Sequence, residues 1–289
     1  MNGNPVTVAD LVRHLKDALS PRYGEGEAKA MIRLILHHLK GWSQTDIIIN
    51  SDRPVSDYIL EKTDAIISRL RNGEPLQYIL GEARFYGMDL KVGPEVLIPR
   101  PETEELVDMI VKENSRSDLR ILDIGTGSGA IAIALSRNLK FPHITAIDIS
   151  GPALEIARFN AAQLHADITF LKRDIFNWLP EDRSFDMIVS NPPYIADKEK
   201  AGMEANVLDY EPHGALFVPD NDPLVYYRRI ARIGRSALDY SGKIYFEINP
   251  LYADELVDFL HSEGYADVRV SRDISRRKRF ICVRTESRK

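Results

Sequence analysis

Apolar residues recur at helical spacing through the first eighty positions and at alternating strand and helix spacing through most of the remainder. Val8, Leu11, Val12, Leu15 and Leu19 predict a helix over Val8–Leu19, stopped by Ser20-Pro21. Ala30, Met31, Leu34, Ile35 and Leu39 predict another over Glu27–Leu39, closed by Lys40-Gly41. Ile59, Leu60, Ile66, Ile67 and Leu70 predict a third over Asp57–Leu70, ending near Gly73. Three or four short amphipathic helices with brief connections make a small bundle. His37 and His38 are neighbours, so they point to different helix faces and form no metal pair at i,i+4 spacing. Nothing in this segment carries chemistry.

The pattern changes at Ala83. Phe85 to Pro94 alternates and carries glycines, which predicts a β-hairpin. Arg100-Pro101-Glu102-Thr103-Glu104-Glu105 opens a helix, with proline in the first turn and acids at the positive end of the dipole. Strands are then expected at Arg120–Ile124, Ile144–Ile149, Ile168–Leu171, Phe185–Val189, Lys243–Ile248, Asp267–Val270 and Phe280–Arg284. Helices are expected at Ala130–Asn138, Ala153–Leu164, Pro223–Ala237 and Tyr252–Ser262. Such alternation implies a doubly wound α/β domain with a mostly parallel sheet, closed by an antiparallel pair joined through Ser271–Arg279. The expected domains are a helical one over 1–80, a β-hairpin linker over 81–100 and the α/β domain over 101–289.

Composition narrows the classes. At 44% hydrophobic and 28% charged residues, a buried core is expected and global disorder is not. A net charge of −5 argues against affinity won by neutralising nucleic-acid phosphates. Arg276-Arg277-Lys278-Arg279 is the one dense basic cluster, and it reads as a solvated hairpin tip. Cys282 is the single cysteine, so neither an intrachain disulfide nor a multi-cysteine metal site is expected; in Phe280-Ile281-Cys282-Val283 it reads as a buried strand residue. Met1 to Pro5 shows no leader pattern and no stretch is apolar enough to span a bilayer, so a cytoplasmic protein is expected.

Ile121-Leu122-Asp123-Ile124-Gly125-Thr126-Gly127-Ser128-Gly129-Ala130 reads as strand, glycine-rich turn and helix start. Alone it also fits a dinucleotide fingerprint. Asp148 ends the second strand, where a carboxylate accepts the ribose hydroxyls of an adenosine, and that feature suits either cofactor. Asp123 discriminates. A pyrophosphate would be repelled by it, whereas the ammonium and sulfonium end of S-adenosylmethionine would be attracted. Asp174, after the third strand, is placed to receive the adenine amino group, and an ordinary loop acid explains it equally well.

Phe185-Asp186-Met187-Ile188-Val189-Ser190 runs into Asn191-Pro192-Pro193-Tyr194 at the carboxyl end of the sheet, where open α/β folds hold ligands. A planar nitrogen has two N–H donors in one plane. The Asn191 side-chain oxygen accepts one and the Pro192 carbonyl the other, with Pro193 holding that carbonyl outward. The nitrogen is thereby oriented for methyl transfer, and the face of Tyr194 is expected to stabilise its developing charge. No general base stands out, and solvent is expected to take the final proton.

On these residues the chain resembles the amino-methyltransferases, and on a wider pattern the release factor glutamine methyltransferase family. Supporting segments are Glu74–Gly81, Phe85-Tyr86-Gly87, Val96–Glu104, Asn160-Ala161 and Tyr210–Leu216. The resemblance covers nearly the whole chain. It implies a seven-stranded Rossmann-like methyltransferase domain that modifies the Gly-Gly-Gln glutamine of peptide chain release factors. It also implies cofactor contacts at Gly125, Thr126, Gly127, Ser128, Gly129, Asp148 and Asn191, and substrate contacts at Asn191, Pro192, Pro193 and Tyr194. A departure is Glu247-Ile248-Asn249-Pro250, where the family usually has glycine at the position of Asn249. Release factors are the expected partners, with no membrane, metal or nucleic acid, and a monomer is expected. Alternatives are an enzyme acting on a ribosomal-protein glutamine, a nucleic-acid amino-methyltransferase and, from another class, an NAD-dependent oxidoreductase.

Overall fold

The computed structural model describes residues 5–265 and 267–285; Met1 to Asn4, on which the no-leader expectation partly rests, lie outside the described residues. The chain divides into two compact units, one up to Gly81 and one from Glu82.

The first unit is helical: α1 (Val8–Lys40), α2 (Gln44–Ile49), α3 (Asp57–Arg71) and α4 (Leu76–Leu80). Thr7 and Ser43 start α1 and α2 with reciprocal capping boxes to Asp10 and Asp46, which satisfies backbone N–H groups that a helix start leaves unpaired. Leu11, Leu15, Ile35, Leu36, Ile67 and Leu70 form its core. One expectation is corrected. The first two helices are continuous past Pro21, and the break falls at Gly24, with φ 76° and ψ 163°. Proline removes one helical hydrogen bond, but only glycine accepts this reversal without strain.

The second unit opens with β1 (Glu82–Phe85) and β2 (Met88–Lys91), an antiparallel hairpin around Tyr86-Gly87. Both turn residues have positive φ, as a two-residue hairpin turn requires. There follow α5 (Pro101–Glu113), β3 (Arg120–Ile124), α6 (Ala130–Asn138), β4 (His143–Asp148), α7 (Gly151–Gln163), β5 (Ile168–Lys172) and β6 (Phe185–Ser190). Next come β7 (Ile195–Ala196), α8 (Ala205–Tyr210), β8 (Phe217–Val218), α9 (Val225–Ala237), β9 (Leu238–Glu247), α10 (Ala253–Ser262), β10 (Asp267–Arg272) and β11 (Lys278–Arg284). Over the described residues the main sheet has seven strands in the order β10-β11-β9-β6-β3-β4-β5. The run from β9 to β5 is parallel, and β11 is antiparallel to both neighbours.

Alternation along β3 divides the core. Leu122 and Ile124 join Ile188, Phe246, Ile230 and Leu256 on the α9–α10 face, and Ile121 joins Val189, Tyr245, Leu106 and Leu135 on the α5–α6 face. The amino-terminal edge is pinned by Asp186, which binds Arg120 at 3.1 Å and Arg116 at 2.7 Å. Burial pushes that carboxyl up, but bonds from the two guanidinium groups outweigh it and hold it at about 2.

The basic hairpin is also corrected. Arg276 and Arg277 are exposed, but Arg279 is only 8% exposed and bonds Asp273 at 3.2 Å. It lies in β11, not in the tip, so the cluster is not one solvated patch. Cys282 is half-buried in the same strand. Among the described residues no helix is long and apolar enough to cross a membrane, and no His, Cys, Asp and Glu group is arranged to hold a metal.

Candidate active site

Leaving β3, the chain turns through Gly125 and Gly127 at φ 74° and 55°. Both lack neighbours that a Cβ would strike, so their backbone stands open. Four of the five N–H groups from Gly125 to Gly129 are already used. Gly125 and Thr126 donate to the Ile147 carbonyl, and Gly129 to that of Thr126. Gly127 donates to Asp148 Oδ2 at 2.9 Å. A phosphate cradle needs such donors free and facing the ligand. Here all but the Ser128 N–H are spent, and the Gly127 N–H is taken by a carboxylate. That arrangement disfavours a dinucleotide and suits a cationic or neutral ligand.

Asp123 is fully buried on the α6 side of β3, where strand alternation directs it. Thr126 donates to its Oδ2 at 2.7 Å. Its Oδ1 has no partner at hydrogen-bonding geometry, although the Ala132 N–H leans on the carboxylate and partly lowers its pKa. Burial dominates and, with the nearby Asp148 charge, pushes the carboxyl up to about 7.

A cavity of about 410 Å³, within the range of small-molecule sites, opens beside the loop at the carboxyl ends of β3, β4 and β6. Gly125, Thr126, Gly127, Ser128, Asp148, Asp174, Asn191, Pro192 and Pro193 line it. Three expected contacts are placed differently. Asp123 lies beneath the loop and cannot touch a ligand directly. Gly129 serves packing, since a Cβ there would meet Ile133 Cδ1 at 3.0 Å and Ala157 Cβ at 3.2 Å. Tyr194 is half-buried, does not line the cavity and packs against the α9–α10 core, so its face is not presented to a reacting nitrogen. Asp174 does line the cavity, but its oxygens accept from Phe176 N–H and Asn177 Nδ2. Each keeps only spare lone-pair capacity for a further donor.

The Asn-Pro-Pro-Tyr turn is braced by residues whose roles sequence reading missed. Asn191 Nδ2 donates to Thr103 Oγ1 at 3.2 Å, and Thr103 in turn to Glu247 Oε2 at 2.7 Å. Tyr194 OH donates to Glu247 Oε1 at 3.2 Å. Glu247 is 1% exposed. Burial pushes its carboxyl up, opposed by the Thr103 bond and the Arg279 charge. The departure at Asn249 has a structural use: its Nδ2 donates to the Tyr194 carbonyl at 3.1 Å and to Glu199 at 2.9 Å. Two more distant segments meet where Arg100 pairs with the buried Glu211 carboxylate, joining the chain before α5 to the end of α8. Asn160 links the hairpin to the glycine loop, bonding Lys91 through N–H and C=O and the Ser128 carbonyl at 2.9 Å. Thr103 and Asn160 stood inside segments that carried the family resemblance, and that was the signal available.

Comparison with known proteins agrees with this geometry. The family described as Methyltransferase small domain matches residues 102–230, and that described as PrmC N-terminal domain matches residues 10–81. A release factor glutamine methyltransferase of Bacteroides thetaiotaomicron is 47% identical over 94% of this chain and 98% of its own length. The chain belongs to the release factor glutamine methyltransferase family. A relative of the same name from Flavobacterium psychrophilum is 41% identical over 92% of this chain and 95% of its own. A methyltransferase structure from Pyrococcus furiosus, 17% identical, covers 76% of this chain and 97% of its own with a TM-score of 0.51, and so shares the fold.

As a member of this methyltransferase family the protein takes S-adenosylmethionine as its methyl donor. The residues present fit that group: a cavity of adequate size, a loop whose Gly125, Thr126, Gly127 and Gly129 N–H groups are spent within the protein, and Asp148 bordering it with Asp123 beneath. The exposed apolar side chains of Ile149 and Phe176 add a wall suited to a flat base.

Proposed function

We propose that this protein methylates the side-chain amide nitrogen of the glutamine in the Gly-Gly-Gln motif of peptide chain release factors. The observation that carries the reading is a pair of unclaimed acceptors on the cavity wall. Asn191 spends its Nδ2 on Thr103, and no described donor reaches its Oδ1 or the Pro192 carbonyl. A primary amide offers two coplanar N–H donors, so two such acceptors hold its plane and turn the free face of the nitrogen to the cavity. When bound, S-adenosylmethionine supplies an electrophilic methyl group on a sulfonium. The chain's own contribution is orientation, together with two carbonyl dipoles that favour positive charge on the nitrogen. Asp148 would hold the ribose, and Asp174 the adenine amino group through its remaining lone pairs.

The helical unit is assigned the choice of protein substrate, because the second unit carries every group the transfer needs. A chain beginning at Glu82 is expected to bind the cofactor yet methylate release factor poorly; full turnover would assign substrate choice elsewhere. The proposed setting is the cytoplasm and the proposed active species a monomer. Mass spectrometry of unmethylated release factor incubated with enzyme and donor should show one added methyl on the Gly-Gly-Gln glutamine. Modification of a ribosomal protein or nucleic acid in its place would overturn the substrate assignment.

A further inference from the structure

A side-chain amide has almost the same shape when turned over, yet one end donates and the other accepts. Asn191 serves as an acceptor toward substrate only with Oδ1 facing the cavity; reversed, its NH₂ would oppose the substrate's own N–H donors. We propose that Glu247, acting through the Thr103 hydroxyl, fixes which end of the Asn191 amide faces the substrate. This rests on the reading of Asn191 as the substrate's acceptor.

Thr103 is 5% exposed and has one hydroxyl hydrogen. Glu247 Oε2, 2.7 Å away, takes it, so the Thr103 oxygen can only accept from Asn191, 3.2 Å away. That forces Nδ2 toward Thr103 and Oδ1 away. The other carboxylate oxygen already receives Tyr194 OH at 3.2 Å, which leaves the ionised group with acceptors alone. A neutral acid in its place could give a proton to Thr103, release the hydroxyl hydrogen toward Asn191 and reverse the amide. The groups acting on the carboxylate come from each side of the packing: Arg279 of β11 favours the ion, as do the Thr103 and Tyr194 hydroxyls, while burial and Glu102 of α5 oppose it. The partners belong to α5, the turn after β6 and the end of β9, so only the closed sheet assembles the relay. Thr103 and Glu247 are therefore positioning residues.

The test is a double-mutant cycle on the full chain, read as single-turnover methylation of unmethylated release factor. Thr103→Val keeps the shape and removes the relay. It should slow transfer about tenfold to a hundredfold, with cofactor and release-factor affinities changed less than about twofold. Thr103→Ser should restore most of the rate. Glu247→Gln, whose amide can donate to Thr103, should slow transfer by a similar factor while melting as a folded protein. Thr103→Val added to Asn191→Ala should cost nothing further, because the amide whose polarity it sets is gone. Multiplying effects in the double variant, or a normal rate in Glu247→Gln, would sink the relay. Near-normal transfer in Asn191→Ala would instead sink the reading of Asn191 on which it rests, and the two failures are thus distinct.

Discussion

The two ends of the cavity are organised differently. At the glycine loop the decisive contacts lie within the turn or reach the neighbouring strand. Thr126 bonds Asp123 three residues away, and Gly127 bonds Asp148 on the adjacent strand. At the Asn191 end they span the chain, with Thr103 and Asn191 separated by 88 positions and Tyr194 and Glu247 by 53. The loop end holds a buried carboxylate with one oxygen unpartnered, poised electrostatically for a cation. The Asn191 end is braced by the bonds of Asn191 and Tyr194 to Thr103 and Glu247, and is poised geometrically. On the proposed reading, the turn with its half-buried Asp148 governs how tightly cofactor binds. On the same reading, the braced turn governs how often a bound amide is in line to react.

Substitutions should separate these functions, and the largest effect falls at the braced end. Asn191→Ala should lower the single-turnover rate about a hundredfold or more, with a far smaller loss of cofactor affinity read by calorimetry. Next comes Asp148→Ala, which should weaken S-adenosylmethionine by roughly 1.5–3 kcal/mol, with little change in rate at saturation. If each variant altered rate and affinity alike, the division between the ends would collapse.

A smaller effect is expected from pH. Asp123 is raised to about 7, so without ligand it is neutral below that value and ionised above it. Being raised, it favours the folded state most at acid pH, and that contribution fades as pH climbs through the interval up to about 7. A bound cation favours the ion, so cofactor affinity should increase as pH rises from 6 to 8, by about tenfold at most. Asp123→Asn should flatten that dependence in a calorimetric titration. A pH-independent wild type would remove Asp123 from the electrostatics of the site.

A comparably small effect, on stability rather than affinity, belongs to Tyr194→Phe. It removes one donor from a nearly buried carboxylate, at about 1–2 kcal/mol of stability, and keeps the ring. Tyr194→Ala also removes the packing of that ring against the core and should cost about 3–5 kcal/mol. Thermal melts with single-turnover rates would rank the pair. Equal losses would mean that the hydroxyl, rather than the ring, holds the turn.

Much of this was legible in the chain alone, because it depends on neighbours in sequence. β3 and α6 begin and end where apolar period and glycines place them, and the loop between them announces itself through Gly125, Gly127 and Gly129. Asn191-Pro192-Pro193-Tyr194 is visible for the same reason, since prolines restrict only their own and the preceding residue. Burial and long-range partnership are not local. Strand alternation could place Asp123 on one face of β3, but only α6 packed over that face seals it and raises its pKa. Arg279 looked like one of four solvated cations until the β10–β11 hairpin folded it onto Asp273. Tyr194 looked like an open aromatic face until Glu247 arrived from the end of β9 to take its hydroxyl. The sequence by itself determined the order of elements, the glycine turn and the segments that reach the cavity. Tertiary structure alone decided which residues of those segments line the cavity and which brace the others, because burial and hydrogen-bond polarity are set by groups that only the assembled sheet brings within reach.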